Sequence, residues 1–105
     1  MVEKKSSKNY CPLNEAILKL KTSDEVRRFL RDLCTPSEIK AFEERWTVAQ
    51  LLYDGSFSYC KINEMTGTST TTITRVARFL NKEEYQGYKL VLDRLKKRGK
   101  NDRKK

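Results

Sequence analysis

The sequence of 105 residues predicts an all-α protein of about six helices built around a helix-turn-helix, and two observations predict it. Apolar residues recur at i, i+3, i+4 and i+7 in three separate stretches, Val26/Phe29/Leu30/Leu33, Ile73/Val76/Ala77/Leu80 and Tyr88/Val91/Leu92/Leu95. Capping residues and glycines punctuate the chain at helical lengths, at Thr35-Pro36, Gly55, Ser58, Gly67 and Ser69. The strand-like signal weighed is the alternation of Thr70, Thr72 and Thr74, β-branched residues that favour extended backbone. Helical spacing continues beyond them to Leu80, and a strand would leave Arg75, Arg78 and Phe79 unexplained.

In chain order, residues 1–9 are charged and serine-bearing and are expected to be disordered. Residues 10–97 form one helical domain. Asn14 is the candidate cap of a short helix with Leu13, Ile17 and Leu20 on one side. Thr22 and Ser23 interrupt it, and Ser23-Asp24-Glu25 opens a second, strongly amphipathic helix with acids in its first turn, where they complement the helix dipole.

Thr35-Pro36-Ser37-Glu38 is the sharpest boundary. Threonine is a good N-cap, proline suits the first helical position, and glutamate three residues on completes a capping box. A long helix should run from there to about Asp54, with Ile39, Phe42, Trp46, Ala49 and Tyr53 in one stripe broadened by Val48, Leu51 and Leu52. Gly55 ends it, and Phe57 stands in the hydrophobic-staple position before Ser58.

Residues 58–80 then read as two helices and a tight turn. Ser58 caps the first, which presents Ile62 and Met65; Gly67 suits its C-terminus; Ser69 caps the second. Asn81 is the candidate cap of a last helix with Lys82-Glu83-Glu84 in its first turn. Gly87 inside that helix would weaken it by about 1 kcal/mol relative to alanine. Residues 98–105 are expected to be a disordered basic tail.

The formal charge is +9, and the ends carry it. Residues 94–105 hold eight basic residues against Asp102, and residues 1–8 hold three against Glu3, so the chain between is formally neutral. Basic tails attract phosphates without reading sequence, although a solvated tail that only aids solubility has the same composition. Cys11, Cys34 and Cys60 are far apart and histidine is absent, so no zinc spacing exists and no metal is expected. Without histidine the commonest general base is missing, and no active site is expected. No apolar run reaches a membrane span of roughly 18 residues, and the first eight residues are polar. The expected location is the cytoplasm.

A helix-turn-helix lays its second helix in the DNA major groove. Thr70, Thr71 and Thr74 are placed for base edges, where a hydroxyl donates or accepts and a methyl meets thymine. Ser58, Lys61 and Ser69 suit phosphates, with Arg75 and Arg78 adding charge. Several helices have apolar faces wider than one neighbour covers. A compact monomer and an interleaved homodimer compete, and a two-fold dimer matches near-palindromic double-stranded DNA.

Thr35-Pro36-Ser37-Glu38, Ala41, Arg45, Val48, Leu51-Leu52, Gly55, Ser58, Gly67 and Thr72-Ile73-Thr74-Arg75 resemble the tryptophan repressor family, in its YerC/YecD-type branch, over about residues 35–80. The resemblance implies an all-helical, intertwined homodimer that acts as a DNA-binding regulator, with bound tryptophan as corepressor between two arginines. Those arginines match Arg45 and Arg75, and the pocket threonine matches Thr35. Val76 stands where the tryptophan-binding member has glycine, and Phe79 where it has serine; Asp32 and Cys34 replace leucines. Val76 and Phe79 are therefore expected to fill the indole site, leaving no cofactor. Arg45 and Arg75 have a plainer reading as salt-bridge or phosphate contacts.

Two other functions use the same features. One is a basic helical module for RNA or the ribosome; against it, Trp46, Phe42 and most tyrosines are expected on core stripes rather than exposed for base stacking. The other is a protein-interaction adaptor, which the neutral charge of residues 9–93 suits.

Overall fold

The computed structural model describes the backbone of residues 10–104 and the side chains of residues 10–97. It contains six helices and, among the described residues, no strand: α1 (Leu13–Leu18), α2 (Ser23–Leu33), α3 (Pro36–Asp54), α4 (Tyr59–Thr66), α5 (Thr70–Asn81) and α6 (Gly87–Lys104). The alternating threonines lie in the first turns of α5. The expected disorder of residues 1–9 lies outside the described residues, as do the side chains of the expected 98–105 tail. The chain forms two compact units divided between Ile39 and Lys40.

The first unit holds α1, α2 and the opening turn of α3. One of its predicted caps is displaced, while α2 begins at Ser23 with Asp24 and Glu25 in its first turn, as its sequence predicts. Asn14 lies inside α1, where its side chain accepts from the Glu15 N–H, and the capping position falls to Pro12, which offers no side-chain acceptor. Thr22 caps α2: its hydroxyl accepts from the Glu25 N–H at 3.1 Å, while the Glu25 carboxylate accepts from the Lys21 N–H at 2.8 Å. The cap has a local cause, since threonine caps well and stands three residues before Glu25. No residue of α1 or α2 is buried; Val26 and Leu33 are exposed while Phe29 and Leu30 are half-buried.

The capping box at the start of α3 forms as predicted. Thr35 N–H donates to Glu38 Oε1 at 2.8 Å, and Glu38 N–H donates to Thr35 Oγ1 at 3.2 Å.

The second unit holds the rest of α3 and α4 to α6. Its core is Val48 and Ala49 of α3, Ile62 of α4, Ile73, Val76 and Leu80 of α5, and Leu92 of α6. Half-buried Trp46, Leu51, Leu52, Tyr53, Phe57 and Tyr88 pack around it, with Trp46 and Tyr88 stacked at 6.4 Å between centroids. Phe57 thus reaches the cluster holding Ile62, as a staple residue should. Phe42 departs from the expected stripe and is exposed, and so are Tyr10, Tyr59 and Tyr85; the expectation that aromatics lie on core stripes is corrected for these four.

The start of α6 is also corrected. Asn81 ends α5 rather than capping α6, and Lys82 takes the C-cap with its N–H on the Arg78 carbonyl at 2.8 Å. Residues 82–86 are a connection in which Gln86 adopts a φ of 54°, and Gly87 is the first residue of α6. The cost expected of an interior glycine therefore does not arise.

Candidate nucleic-acid interface

The pair α4–α5 is built by its own side chains. Ser58 Oγ accepts from the Lys61 N–H at 3.0 Å, and Ser69 Oγ accepts from the Thr72 N–H at 3.2 Å, so each helix has the cap its sequence predicts. Between them Gly67 takes the left-handed conformation at φ 73°, its N–H donating to the Asn63 carbonyl at 2.8 Å. Asn63 Nδ2 reaches across the turn to the Thr68 carbonyl at 2.7 Å. With Ile62 and Ile73 fully buried on either side, the turn is held by bonds and packing together.

This fixes two opposed stripes on α5. Ile73, Val76, Ala77 and Leu80 are buried. Thr71, Thr74, Arg75 and Arg78, shifted by two positions or roughly 160–200° around a helix of 3.6 residues per turn, are all exposed. From Thr71 to Arg78 the stripe extends about 10 Å at 1.5 Å per residue, close to the width of about 12 Å of a B-DNA major groove.

All eight residues predicted to contact DNA are exposed: Ser58, Lys61, Ser69, Thr70, Thr71, Thr74, Arg75 and Arg78. Several have internal partners. The Ser58 and Ser69 oxygens accept their cap bonds; the Ser58 hydroxyl proton remains available to donate, whereas the Ser69 hydroxyl donates to Thr72 Oγ1 at 3.1 Å. Lys61 Nζ lies 3.6 Å from Glu64, an exposed pair worth little. Arg78 Nε donates to Glu83 at 2.7 Å.

The residues predicted for a ligand pocket are differently placed. The Thr35 hydroxyl accepts its capping-box bond, with Ser37 Oγ at 3.4 Å. Arg45 lies over the Phe42 ring at 5.5 Å from the centroid, and Arg75 over the Phe79 ring at 4.6 Å. Val76 is a core residue, 1% exposed, and Phe79 is half-buried with Arg78 also near its ring at 5.8 Å. A cavity of about 330 Å³ opens beside them, lined by Arg75, Val76 and Phe79 together with Glu83 and residues 85–88.

Sequence reasoning missed Glu83, Phe42 and the wall formed by Tyr85 and Tyr88. Phe42 was legible as an i−3 neighbour of Arg45. Glu83 was not, because five residues from Arg78 is no helical spacing unless the end of α5 is known. Among the described residues there is no cluster of His, Cys, Asp or Glu able to hold a metal ion, and no helix long and apolar enough to cross a membrane. The three cysteines are free.

Comparison with known proteins agrees with this architecture. The family model described as Trp repressor protein matches residues 8–96. The uncharacterized protein YerC of Bacillus subtilis (strain 168) is 42% identical over 95 residues, which are 90% of this chain and 89% of that protein. A crystal structure of a TrpR-like protein from Eubacterium eligens superposes with a TM-score of 0.73 at 44% identity, covering 79% of this chain and 84% of the other. A protein from Staphylococcus aureus, solved as a candidate Trp repressor, superposes with a TM-score of 0.75 at 34% identity, covering 91% and 94%. The chain belongs to the Trp repressor protein family, as a YerC-type member.

Proposed function

We propose that this protein is a sequence-specific DNA-binding transcriptional regulator, a repressor, which binds a near-palindromic operator as a homodimer and does not use tryptophan as corepressor. The observation that carries the proposal is the exposed stripe Thr71, Thr74, Arg75 and Arg78, directly opposite the buried face of α5. Short hydroxyls lead and guanidinium groups follow. This order suits a helix whose first turns meet base edges while its later turns meet phosphates. Membership of the family supports the same activity and, with it, a cytoplasmic location.

Two features support the dimer. In their own unit, α1 and α2 leave Leu13, Ile17, Val26 and Leu33 exposed, and Leu90, Val91 and Leu95 of α6 are exposed as well. Apolar surface on this scale in a small domain calls for a partner, and a second copy with two-fold symmetry doubles the reading helices. The absence of a corepressor is supported by the pairing of Arg45 with Phe42 and of Arg75 with Phe79, since each guanidinium already has an aromatic face.

The test is selection from random duplex DNA with the full chain. The expected outcome is a palindrome whose half-sites lie about 34 to 36 Å, or one helical turn, apart. No enrichment would remove the DNA reading and favour RNA or protein partners; the exposed rings of Phe42, Tyr59 and Tyr85 keep RNA stacking in that comparison.

A further inference from the structure

The geometry points to Glu83 as a positioning residue for DNA recognition: it holds the Arg78 guanidinium so that its two terminal nitrogens meet DNA phosphate in one fixed orientation. This inference rests on the DNA-binding reading above. Arg78 shares the exposed stripe with Thr71, Thr74 and Arg75, at the end farthest from the first turn of α5. Its Nε, rather than either terminal nitrogen, donates to Glu83 Oε2 at 2.7 Å. A guanidinium has five N–H donors in a rigid fork, so using the one on Nε leaves the four terminal donors free. The Phe79 ring, 5.8 Å from the guanidinium carbon, lies along the same group.

Glu83 is itself fixed at three points. Its N–H donates to the Arg78 carbonyl at 3.2 Å, its carbonyl accepts from Gln86 Nε2 at 2.6 Å, and its carboxylate holds Arg78. The last two contacts draw on a connection that Gln86 closes in a left-handed conformation. The glutamate side chain is 31% exposed against 66% for the arginine, so the acid is the sheltered partner and the arginine the presented one. As an ion pair the two add no net attraction for DNA. What Glu83 supplies is orientation: a long side chain that would lose its rotamer freedom on binding is restrained beforehand. A phosphate in the matching place then gains a directed, charge-assisted contact, and one elsewhere gains nothing.

Five full-length proteins test this: wild type, Glu83→Ala, Glu83→Gln, Arg78→Ala and the Glu83→Ala/Arg78→Ala double variant. Each is titrated against the duplex that wild type selects and against a scrambled duplex, with thermal melting in parallel. Glu83→Ala should lose about tenfold on the selected duplex, the scale of a lost charge-assisted bond, while the scrambled duplex binds as well or better. Glu83→Gln, whose amide oxygen can still accept from Nε, should restore the selected duplex to within about threefold. The double variant should bind no worse than Arg78→Ala, and phosphate-ethylation interference should vanish at the same phosphate in Glu83→Ala and in Arg78→Ala. Equal tightening on both duplexes would make Glu83 a mere electrostatic brake and overturn the inference. Losses that track melting temperature, without rescue by glutamine, would make it structural and overturn it too. Should wild type select a sequence that Glu83→Ala binds equally well, only this inference falls; should wild type select none, the DNA reading falls with it.

Discussion

Phe79 lies against two guanidinium groups, Arg75 at 4.6 Å and Arg78 at 5.8 Å, and Arg45 lies over Phe42 at 5.5 Å. A cation over an aromatic face gains about 0.5–2 kcal/mol, and a tryptophan seeking the same arginines would compete with the chain's own rings for them. Isothermal titration with L-tryptophan should therefore show no micromolar binding; micromolar affinity would refute the self-occupied arrangement. Val76 makes this hard to undo, because at 1% exposure it is a core residue: Val76→Gly should cost about 2–4 kcal/mol from cavity and helix propensity together, read by urea unfolding. Sequence comparison identified Val76 and Phe79 as the positions of interest, but not what each does, since burial and ring stacking depend on which neighbours the fold supplies. A second residue-scale prediction concerns Thr68, 3% exposed, whose hydroxyl has no hydrogen-bond partner among the described residues. A buried unpaired hydroxyl is costly, so Thr68→Val should raise stability by about 1 kcal/mol; a fall in the urea midpoint would mean that the hydroxyl has a partner after all.

At the scale of elements, caps and turns were the most legible features because their causes are local. The Thr35–Glu38 box, the Ser58 and Ser69 caps, and Gly55 and Gly67 at φ 82° and 73° all occur where the residue types put them. Nothing stands within 4 Å of where a Cβ would be added to Gly67, so Gly67→Ala isolates the backbone cost of positive φ. It should destabilise the protein by about 1 kcal/mol and weaken selected-duplex binding by loosening α4 against α5; unchanged melting would remove the claim. The α5–α6 connection was misread because Asn81 is a good cap residue by itself, whereas the chain continues α5 through it and closes with Gln86 in the left-handed region. Tertiary ties were equally invisible. The Tyr53 hydroxyl donates to Asp93, joining α3 to α6, and that bond, with partial burial and the carboxylate's charge, raises the tyrosine above its ordinary 10.0. A raised acid contributes stability that is present below its unfolded value and lost as pH rises through the folded one. Wild type should therefore lose stability above about pH 10, and Tyr53→Phe should be flatter there in pH-dependent melting.

At the scale of the whole molecule, sequence-specific and sequence-independent binding are expected to have separate sources. The chain between residues 9 and 93 is formally neutral, while residues 94–105 carry eight basic residues against Asp102. The reading stripe on α5 contributes Thr71 and Thr74, which bear no charge, so Thr71→Ala should relax base preference at one position of each half-site and leave the salt dependence unchanged. Removing Gly99 to Lys105 deletes four basic residues and one acid. It should weaken selected and scrambled duplexes alike and flatten the slope of log K against log salt. At roughly 0.9 per neutralised phosphate, four contacts amount to a change of about 3 to 4 per chain. A dimer with both tails on one duplex would show about twice that, so the truncation measures stoichiometry together with affinity. A slope change near the single-chain value, with a palindromic site still selected, would mean that only one tail of a dimer reaches the DNA. A selected duplex that weakens while the scrambled one does not would overturn the division of labour itself.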